Sequence, residues 1–156
     1  MSLEKLFSPE KIAVVGASRE EGKTGHEVFD NLYHDFEGEV VPVNPNAKEV
    51  EGVEASDDIP EGTNLAVIVV PAKLVPQVME DAAQKGVEAS IIISAGFSET
   101  GEEKLEEEVL EIAEGNNIDI LGPNVLGLIN TENLMNTIFI QKLPQESDIS
   151  FMIQSG

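Results

Sequence analysis

Short apolar runs alternate with amphipathic stretches along nearly the whole chain. Five runs rich in valine, isoleucine and leucine predict buried strands. They lie at residues 11–15, 39–43, 65–70, 89–93 and 118–121. Between them, apolar residues recur at helical spacing over 24–36, 74–83 and 105–113, which predicts three helices, each with one apolar face. A short strand or turn is expected at 50–55, and shorter, irregular strands at 126–140.

This alternation indicates an α/β fold of the Rossmann-like, doubly wound kind, with a mainly parallel sheet and helices on both faces. Right-handed crossovers place every strand-to-helix connection at the carboxyl edge of such a sheet. Ligands bind at that edge, so the five connections there are the segments in which a binding site is expected.

The composition predicts one compact domain and argues against several partners. The 156 residues, 41% of them hydrophobic, suffice for a single core, and the absence of cysteine excludes disulfides and thiolate metal sites. No apolar run reaches the ~18 residues of a membrane span, and residues 1–10 lack a secretory signal pattern, so a cytoplasmic protein is expected. The net charge of -21 argues against nucleic acid, whose binding needs the opposite sign. The acidic run at 102–108 is expected to be a solvated helix face.

The first connection, GASREEGKTG, combines small residues with the start of a helix. Free N–H groups at a helix start attract an anion, and small residues let a ligand approach the backbone. Lys23 adds one mobile cation. The small residues of this segment that are candidates for a phosphate site are Gly16, Ala17, Ser18 and Gly25.

Two other phosphate chemistries remain open for this connection. A dinucleotide site of the NAD(P) type would need G-x-G-x-x-G, but Ser18 stands at the second glycine, and the second strand ends in VNP, without an acid for the ribose. A P-loop would need G-x-x-x-x-G-K-[ST]. The segment 22–24 matches its end, but Gly16 lies one residue too early. An NAD(P)-binding oxidoreductase domain and an NTPase are therefore kept as alternatives.

The other four connections also bring small residues or proline to the same edge. The second, PVNPNAK, is stiffened by two prolines and contains Lys48, which suits a ribose or a phosphate. The third ends its strand at Val70 and Pro71, a narrow apolar exit that suits a flexible, uncharged arm. The fourth, SAGF, and the fifth, GPN, again have small residues or proline at a strand end.

The chain has two histidines, His26 and His34, and both lie on the first of the three predicted helices. A phosphoryl carrier needs an imidazole that is oriented by a partner carboxylate, and the sequence shows no such orientation. Surface or capping roles are therefore expected for both histidines, and no catalytic residue or metal site is predicted.

Six segments, taken in order, resemble the CoA-binding domain of ADP-forming acetyl-CoA synthetases and of the succinyl-CoA synthetase alpha subunit. They are VVGAS (14–18), GKTG (22–25), PVNP (42–45), VIVVPA (67–72), IISAGFSETG (92–101) and GPNVLGLIN (122–130). The ordered set at these spacings is specific, and the similarity runs from about Leu6 to the last residue. One departure is Val125, where many relatives have cysteine, which argues against thiol chemistry at that position.

By residue match, the resemblance implies that coenzyme A lies across the carboxyl edge of the sheet. The residues implied to face its phosphates or nucleotide are Gly16, Ala17, Ser18, Lys23 and Gly25, flanked by Asn44, Pro45 and Lys48. Those implied to border the adenosine and the pantetheine arm are Val70, Pro71, Ile93, Ser94 and Ala95, and those near the thiol end are Pro123 and Asn124.

The resemblance also implies a reaction in the parent protein, in which acyl-CoA, ADP and phosphate give the free acid, CoA and ATP. A histidine of a following domain carries the phosphoryl group there. Residues 1–147 would form the CoA-binding domain and 148–156 the start of that following, truncated domain, so the chain alone is expected to be inactive. Its partners would be CoA or acyl-CoA, the ligase domain and an ATP-grasp subunit or domain, with oligomer formation left open. A stand-alone CoA-binding protein, or the CoA-binding domain of a protein acyltransferase, is the alternative.

Overall fold

The computed structural model describes residues 3–140, 143–148 and 150–153. Its longer strands coincide with the valine- and isoleucine-rich runs, as expected for side chains that pack well on a pleated surface. In chain order the strands are β1 (Lys11–Val15), β2 (Glu39–Val43), β3 (Glu49–Val50), β4 (Val53–Glu54), β5 (Leu65–Ile68), β6 (Ala89–Ile92), β7 (Asp119–Leu121), β8 (Ile129–Asn130) and β9 (Met135–Asn136).

Four α-helices lie among the described residues, and the three longer ones follow β1, β5 and β6. Short 3-10 turns at Ala72–Leu74 and Ser98–Thr100 precede the third and fourth helices. The last helix is capped by Asn117, whose left-handed conformation (φ 56°) is a common helix stop. The helices are α1 (Glu4–Phe7), α2 (Thr24–Asp35), α3 (Val75–Gln84) and α4 (Glu103–Asn116).

The central sheet has the strand order β2-β1-β5-β6-β7, and every neighbouring pair in it is parallel. The chain steps outward from β1 to β2, then returns past β1 to β5 and continues in the other direction. The strand order therefore reverses between β1 and β5. In open α/β sheets, this switch point forms a crevice at the carboxyl edge. The predicted α/β, doubly wound fold is confirmed.

Two cores lie on the two faces of the sheet, because successive side chains of a strand point to opposite sides. In β1, Ile12 and Val14 pack with α1, α2 and Met135 of β9, whereas Ala13 and Val15 pack with α3 and α4. The same alternation continues through β5 and β6. Each strand of the sheet centre is thus buried on both sides, which explains why these segments are almost entirely apolar, apart from Lys11 at the start of β1 and the buried Ser90 in β6.

The structure differs from the predicted elements mainly at their ends. β5 and β6 end at Ile68 and Ile92, slightly earlier than predicted, and α4 continues past Gly115, where a stop was expected. The short helix α1 was not predicted. The expected strands at 50–55 and 126–140 are present as the small hairpins β3–β4 and β8–β9.

The described residues at the end of the chain bear on the predicted domain boundary. Residues 150–153 have no regular secondary structure, and the predicted start of a further domain falls partly on residues 149 and 154–156, which lie outside the described residues. The boundary at 147 therefore stays a prediction.

Within the described ranges, none of the helices combines the length and apolar character that a bilayer span requires.

Candidate functional site at the carboxyl edge of the sheet

The five connections lie side by side at the carboxyl edge of the central sheet. The side-chain amide of Asn44, in the second connection, donates to the carbonyl oxygen of Ala17, in the first, at 2.7 Å. The backbone N–H of Asn124, in the fifth, donates to the Ser94 carbonyl of the fourth at 3.1 Å. The Ser94 hydroxyl in turn lies 3.4 Å from the carbonyl oxygen of Ile68, at the end of β5. These contacts join neighbouring connections along the edge.

The first connection approaches its neighbours closely because two of its three glycines stand where a side chain would not fit. Gly16 has a φ of 95°, and a Cβ atom there would lie 2.6 Å from the carbonyl oxygen of Val69 in the third connection. Gly25 is buried in the first turn of α2, and a Cβ atom there would overlap the carbonyl oxygen of Gly16. These two glycines therefore determine the path of the backbone into α2.

A cleft of about 360 Å³ opens at the start of α2, and we call it the helix cleft. It lies between the ends of β1 and β5, where the strand order of the sheet reverses and where open α/β sheets bind their ligands. Its lining consists of Gly16, Ser18, Gly22, Lys23, Thr24, Gly25 and Val69.

The first N–H groups of α2 are the main polar feature of the helix cleft. Among the described residues, no acceptor pairs with the N–H groups of Thr24 and Gly25, as is usual at a helix start. The N–H of Gly22, by contrast, donates to a carboxylate oxygen of Glu27 at 3.0 Å. An anion that enters the helix cleft therefore meets two open donors and one donor that already has an anionic acceptor.

Lys23 is the cation of the helix cleft, and it is paired with Glu20. Its Nζ lies 2.8 Å from a carboxylate oxygen of Glu20, and both side chains are exposed. The hydrogen bond from Lys23, together with its charge, lowers the pKa of Glu20, so this carboxylate stays ionised at neutral pH. Exposed ion pairs contribute little to stability because water solvates both partners. A multiply charged ligand can therefore replace Glu20 as the partner of Lys23.

A second cleft, of about 420 Å³, lies between the second connection and the β3–β4 hairpin, and we call it the hairpin cleft. Backbone hydrogen bonds hold its two walls together: Ala55 donates to Lys48 and Ser56 donates to Pro42, both at 2.9 Å. The predicted residues Pro45 and Lys48 are both exposed on its lining. The full lining consists of Pro45, Asn46, Ala47, Lys48, Glu54, Ala55 and Asp57.

The remaining predicted residues lie at the same edge, with different orientations. Ala17 and Ile93 belong to the core on the α2 side, so only their backbone atoms are available to a ligand. Ser94 is also buried, with its hydroxyl near Ile68. The residues of the fourth and fifth connections line neither the helix cleft nor the hairpin cleft. Pro71, Ala95 and Asn124 are exposed, whereas Val70 and Pro123 are half-buried.

The fourth connection is held in place by two carboxylates. Glu99 accepts hydrogen bonds from the N–H groups of Gly96 and Phe97, and Glu106 of α4 accepts one from Ser98 at 3.1 Å. The N–H of Gly96, more than that of Phe97, lowers the pKa of Glu99. The acidic run at 102–108 is thus largely a solvated helix face, as expected, but Glu106 is half-buried and has a structural contact.

We expect the substitution E99Q to lower the melting temperature by a few degrees at pH 7, because a neutral amide accepts the two N–H groups less strongly. The folded-state pKa of Glu99 is lowered, so its contribution is present above the unfolded pKa, about 4.3. That contribution is lost as the pH falls through the folded-state value. The difference in melting temperature between wild type and E99Q should therefore shrink below about pH 4.

The matched control for E99Q is E107Q, at an exposed position of α4. A melting-temperature difference that is independent of pH would contradict this role.

The two histidines differ from each other more than the sequence predicted. His34 is exposed and pairs with Asp30, which confirms a surface role. His26 is only 6% exposed, so the surface alternative is wrong for it, and its Nδ1 lies 3.0 Å from the carbonyl oxygen of Ser18. The signal in the sequence for the burial of His26 was its position after Gly25, in a helical turn that packs against the sheet.

Comparison with known proteins identifies the family to which this chain belongs. The sequence profile of a family described as a CoA binding domain matches residues 10–131. The chain is 46% identical to an ADP-forming acetate–CoA ligase (I) of Archaeoglobus fulgidus, covering 99% of this chain and 23% of that protein. It is 43% identical to the alpha subunit of an ADP-forming acetate–CoA ligase (II) of Pyrococcus furiosus, covering 99% of this chain and 35% of that subunit.

A solved structure with the same fold is the dinucleotide-forming acetyl-coenzyme A synthetase 1 of Ca. Korarchaeum cryptofilum, in complex with phosphate and ADP. The TM-score is 0.86 at 37% identity, and the match covers 91% of this chain and 32% of that chain. The chain thus spans between about a quarter and a third of the length of these relatives. The family profile covers most of the chain, including all five connections. The chain therefore belongs to the CoA binding domain family.

Proposed function

We propose that this chain supplies the CoA site of an ADP-forming acyl-CoA ligase, with the CoA phosphates in the helix cleft and the nucleotide toward the hairpin cleft. The observation that carries this proposal is the helix cleft itself, which has open N–H groups at a helix start and lies at the switch point of the sheet. The family membership of the chain supports coenzyme A as the ligand.

The proposed site binds an anion without a basic surface around it. The protein has 30 acids and 9 bases, so its overall field repels CoA. The attraction must therefore be local, from the N–H groups of Thr24 and Gly25 and from Lys23 once it has exchanged Glu20 for a phosphate. Gly16 and Gly25 contribute by leaving room for a phosphate close to the backbone.

The pantetheine arm is proposed to run along the third, fourth and fifth connections. Pro71, Ala95 and Asn124 are exposed there, and the first two offer an apolar surface without charge. Hydrogen bonds fix the backbone of the fourth and fifth connections, from Asn124 to Ser94 and from Gly96 to Glu99. A fixed path of this kind reduces the entropy that a flexible arm loses on binding.

For the parent protein we propose the reversible conversion of acyl-CoA, ADP and phosphate into the free acid, CoA and ATP. Two similar proteins are named as ADP-forming acetate–CoA ligases, which supports this reaction class. The phosphoryl-carrying histidine and the ATP-grasp part are proposed to lie in the portion of those relatives that this chain does not cover. We also propose a cytoplasmic location, because the reaction uses CoA and adenine nucleotides.

CoA should stabilise the purified chain against heat, whereas NADH at the same concentration should not. A ligand at about 100 times its Kd stabilises the folded state by about 2.7 kcal/mol, which raises the melting temperature measurably. Calorimetric titration with CoA, NADH and ATP gives the corresponding affinities. Stabilisation by NADH with no response to CoA would overturn the proposal in favour of a dinucleotide domain.

The substitution K23A should weaken CoA binding by about 1–2 kcal/mol, because one charge-assisted hydrogen bond to a phosphate is lost. The matched control is K104A, which removes an exposed lysine from α4, on the face of the sheet opposite α2. Both variants keep the fold intact because both side chains are exposed. Equal CoA affinities of K23A and wild type, measured by calorimetry, would remove Lys23 from the proposed site.

A further inference from the structure

His26 contacts two separate segments, the first connection and the β3–β4 hairpin. Its side chain is 6% exposed, in the first turn of α2. Nδ1 lies 3.0 Å from the carbonyl oxygen of Ser18, which lines the helix cleft. Nε2 lies 3.7 Å from a carboxylate oxygen of Glu51, at the tip of the β3–β4 hairpin.

The acceptors around His26 determine which of its nitrogens carries a proton. A backbone carbonyl can only accept, so Nδ1 carries hydrogen and donates to Ser18. Nε2 faces a carboxylate oxygen of Glu51 at 3.7 Å, a separation that is too long for a direct hydrogen bond but brings the ring and the carboxylate into contact. The side chain thus contacts two separate segments, the first connection and the hairpin.

Two backbone hydrogen bonds attach the β3–β4 hairpin to the second connection, and both lie at its base. The N–H of Ala55 donates to Lys48, and that of Ser56 donates to Pro42, so the residues that follow β4 are tied to the second connection. At the tip, Glu51 has a left-handed backbone (φ 51°), while Val50 beside it is buried in the core. His26 adds a polar contact at this tip. Glu54 of the same hairpin lines the hairpin cleft.

We propose that His26 is a positioning residue that holds the Ser18 carbonyl and the Glu51 carboxylate at once, and thereby keeps the helix cleft and the hairpin cleft in the relative arrangement that the nucleotide half of CoA requires. The inference rests on the proposed function, because it takes these clefts as the sites of the phosphates and the nucleotide. His26 does not line either cleft, so it acts through the backbone of the first connection and through the hairpin.

The test measures the Kd of CoA and of adenosine 3′,5′-bisphosphate for four variants by calorimetry. H26A should weaken both ligands by about tenfold, because it removes the hydrogen bond to Ser18 and the contact with Glu51 together. H26N retains a donor for Ser18 but loses the contact with Glu51, and E51A removes that contact from the exposed side without changing the core. Each of these two should weaken both ligands by about threefold. H34A, on the same helix, is the matched control and should leave both affinities unchanged.

The double variant H26A/E51A separates positioning from general destabilisation. If His26 acts through Glu51, E51A adds little once His26 is replaced, whereas independent structural effects would add. If H26A fails to fold, E51A and H26N decide alone, and wild-type affinities in both would overturn the inference. If amide hydrogen exchange at Val50 and Val53 is the same in H26N as in wild type, the inference about His26 is overturned, whatever the CoA affinities are. A wild-type chain that binds neither ligand would instead contradict the proposed function, which keeps the two failures distinct.

Discussion

The substitution G25A is expected to destabilise the domain by about 2–3 kcal/mol, as overpacking of a close contact does. It is also expected to weaken CoA binding by more than tenfold. Gly25 is buried, and a Cβ atom would overlap the carbonyl oxygen of Gly16, so either α2 or the first connection must shift. Such a shift moves the N–H groups of Thr24 and residue 25, which are the proposed phosphate donors. Stability loss and binding loss therefore have one structural cause.

Urea unfolding and calorimetric titration measure the two effects of G25A. The matched control is G115A, because Gly115 lies inside α4 and a Cβ atom there would meet no atom within 4 Å. G115A should stabilise the protein by about 0.5–1 kcal/mol, since alanine is the better helix former, and should leave CoA binding unchanged. If G25A bound CoA as tightly as wild type, the start of α2 could not be the phosphate site.

The substitution F97A is expected to destabilise the protein by about 3–5 kcal/mol, the usual cost of deleting a buried phenylalanine. Phe97 is fully buried in the core beneath α3 and α4, although it lies in the fourth connection. Its carbonyl accepts the N–H groups of Thr100 and Glu102, and its own N–H donates to Glu99. The residue therefore anchors the fourth connection to the core.

Urea unfolding of F97A should show this loss as a lower midpoint at an unchanged slope. F7A is the matched control, because Phe7 of α1 is 41% exposed and its removal leaves a much smaller cavity. A change within about 1 kcal/mol is expected for F7A. A similarly small change in F97A would mean that the fourth connection is anchored mainly by its carboxylate contacts with Glu99 and Glu106.

Sequence patterns predicted the α/β architecture because the relevant signals are local. Apart from Lys11, the runs around Ile12 and Val67 are apolar at every position, which is typical of strands covered on both faces, and their boundaries are predicted to within two residues. The short helix α1 was missed because four residues are too few to establish a periodicity.

The candidate site was predicted less completely than the fold. Parallel strands all end at the same edge of a sheet, whatever residues follow them. The topology alone therefore predicted that the five connections lie together. The topology did not predict the direction of the side chains. Ala17 and Ile93 stand in connections that reach the edge, yet their side chains belong to the core. Glu99 lies in the segment IISAGFSETG, but the sequence did not predict its two hydrogen bonds, because they depend on the turn that follows β6.

The sequence by itself determined the order of strands and helices, the doubly wound parallel sheet and the positions of the five connections, because hydrophobic periodicity and turn residues act over a few neighbouring residues. The tertiary structure alone decided how those connections are joined. The bond from Asn44 to Ala17 spans 27 residues, and His26 reaches Glu51 on a separate hairpin. Contacts of this kind require elements that only folding brings within hydrogen-bonding distance, so no local pattern encodes them.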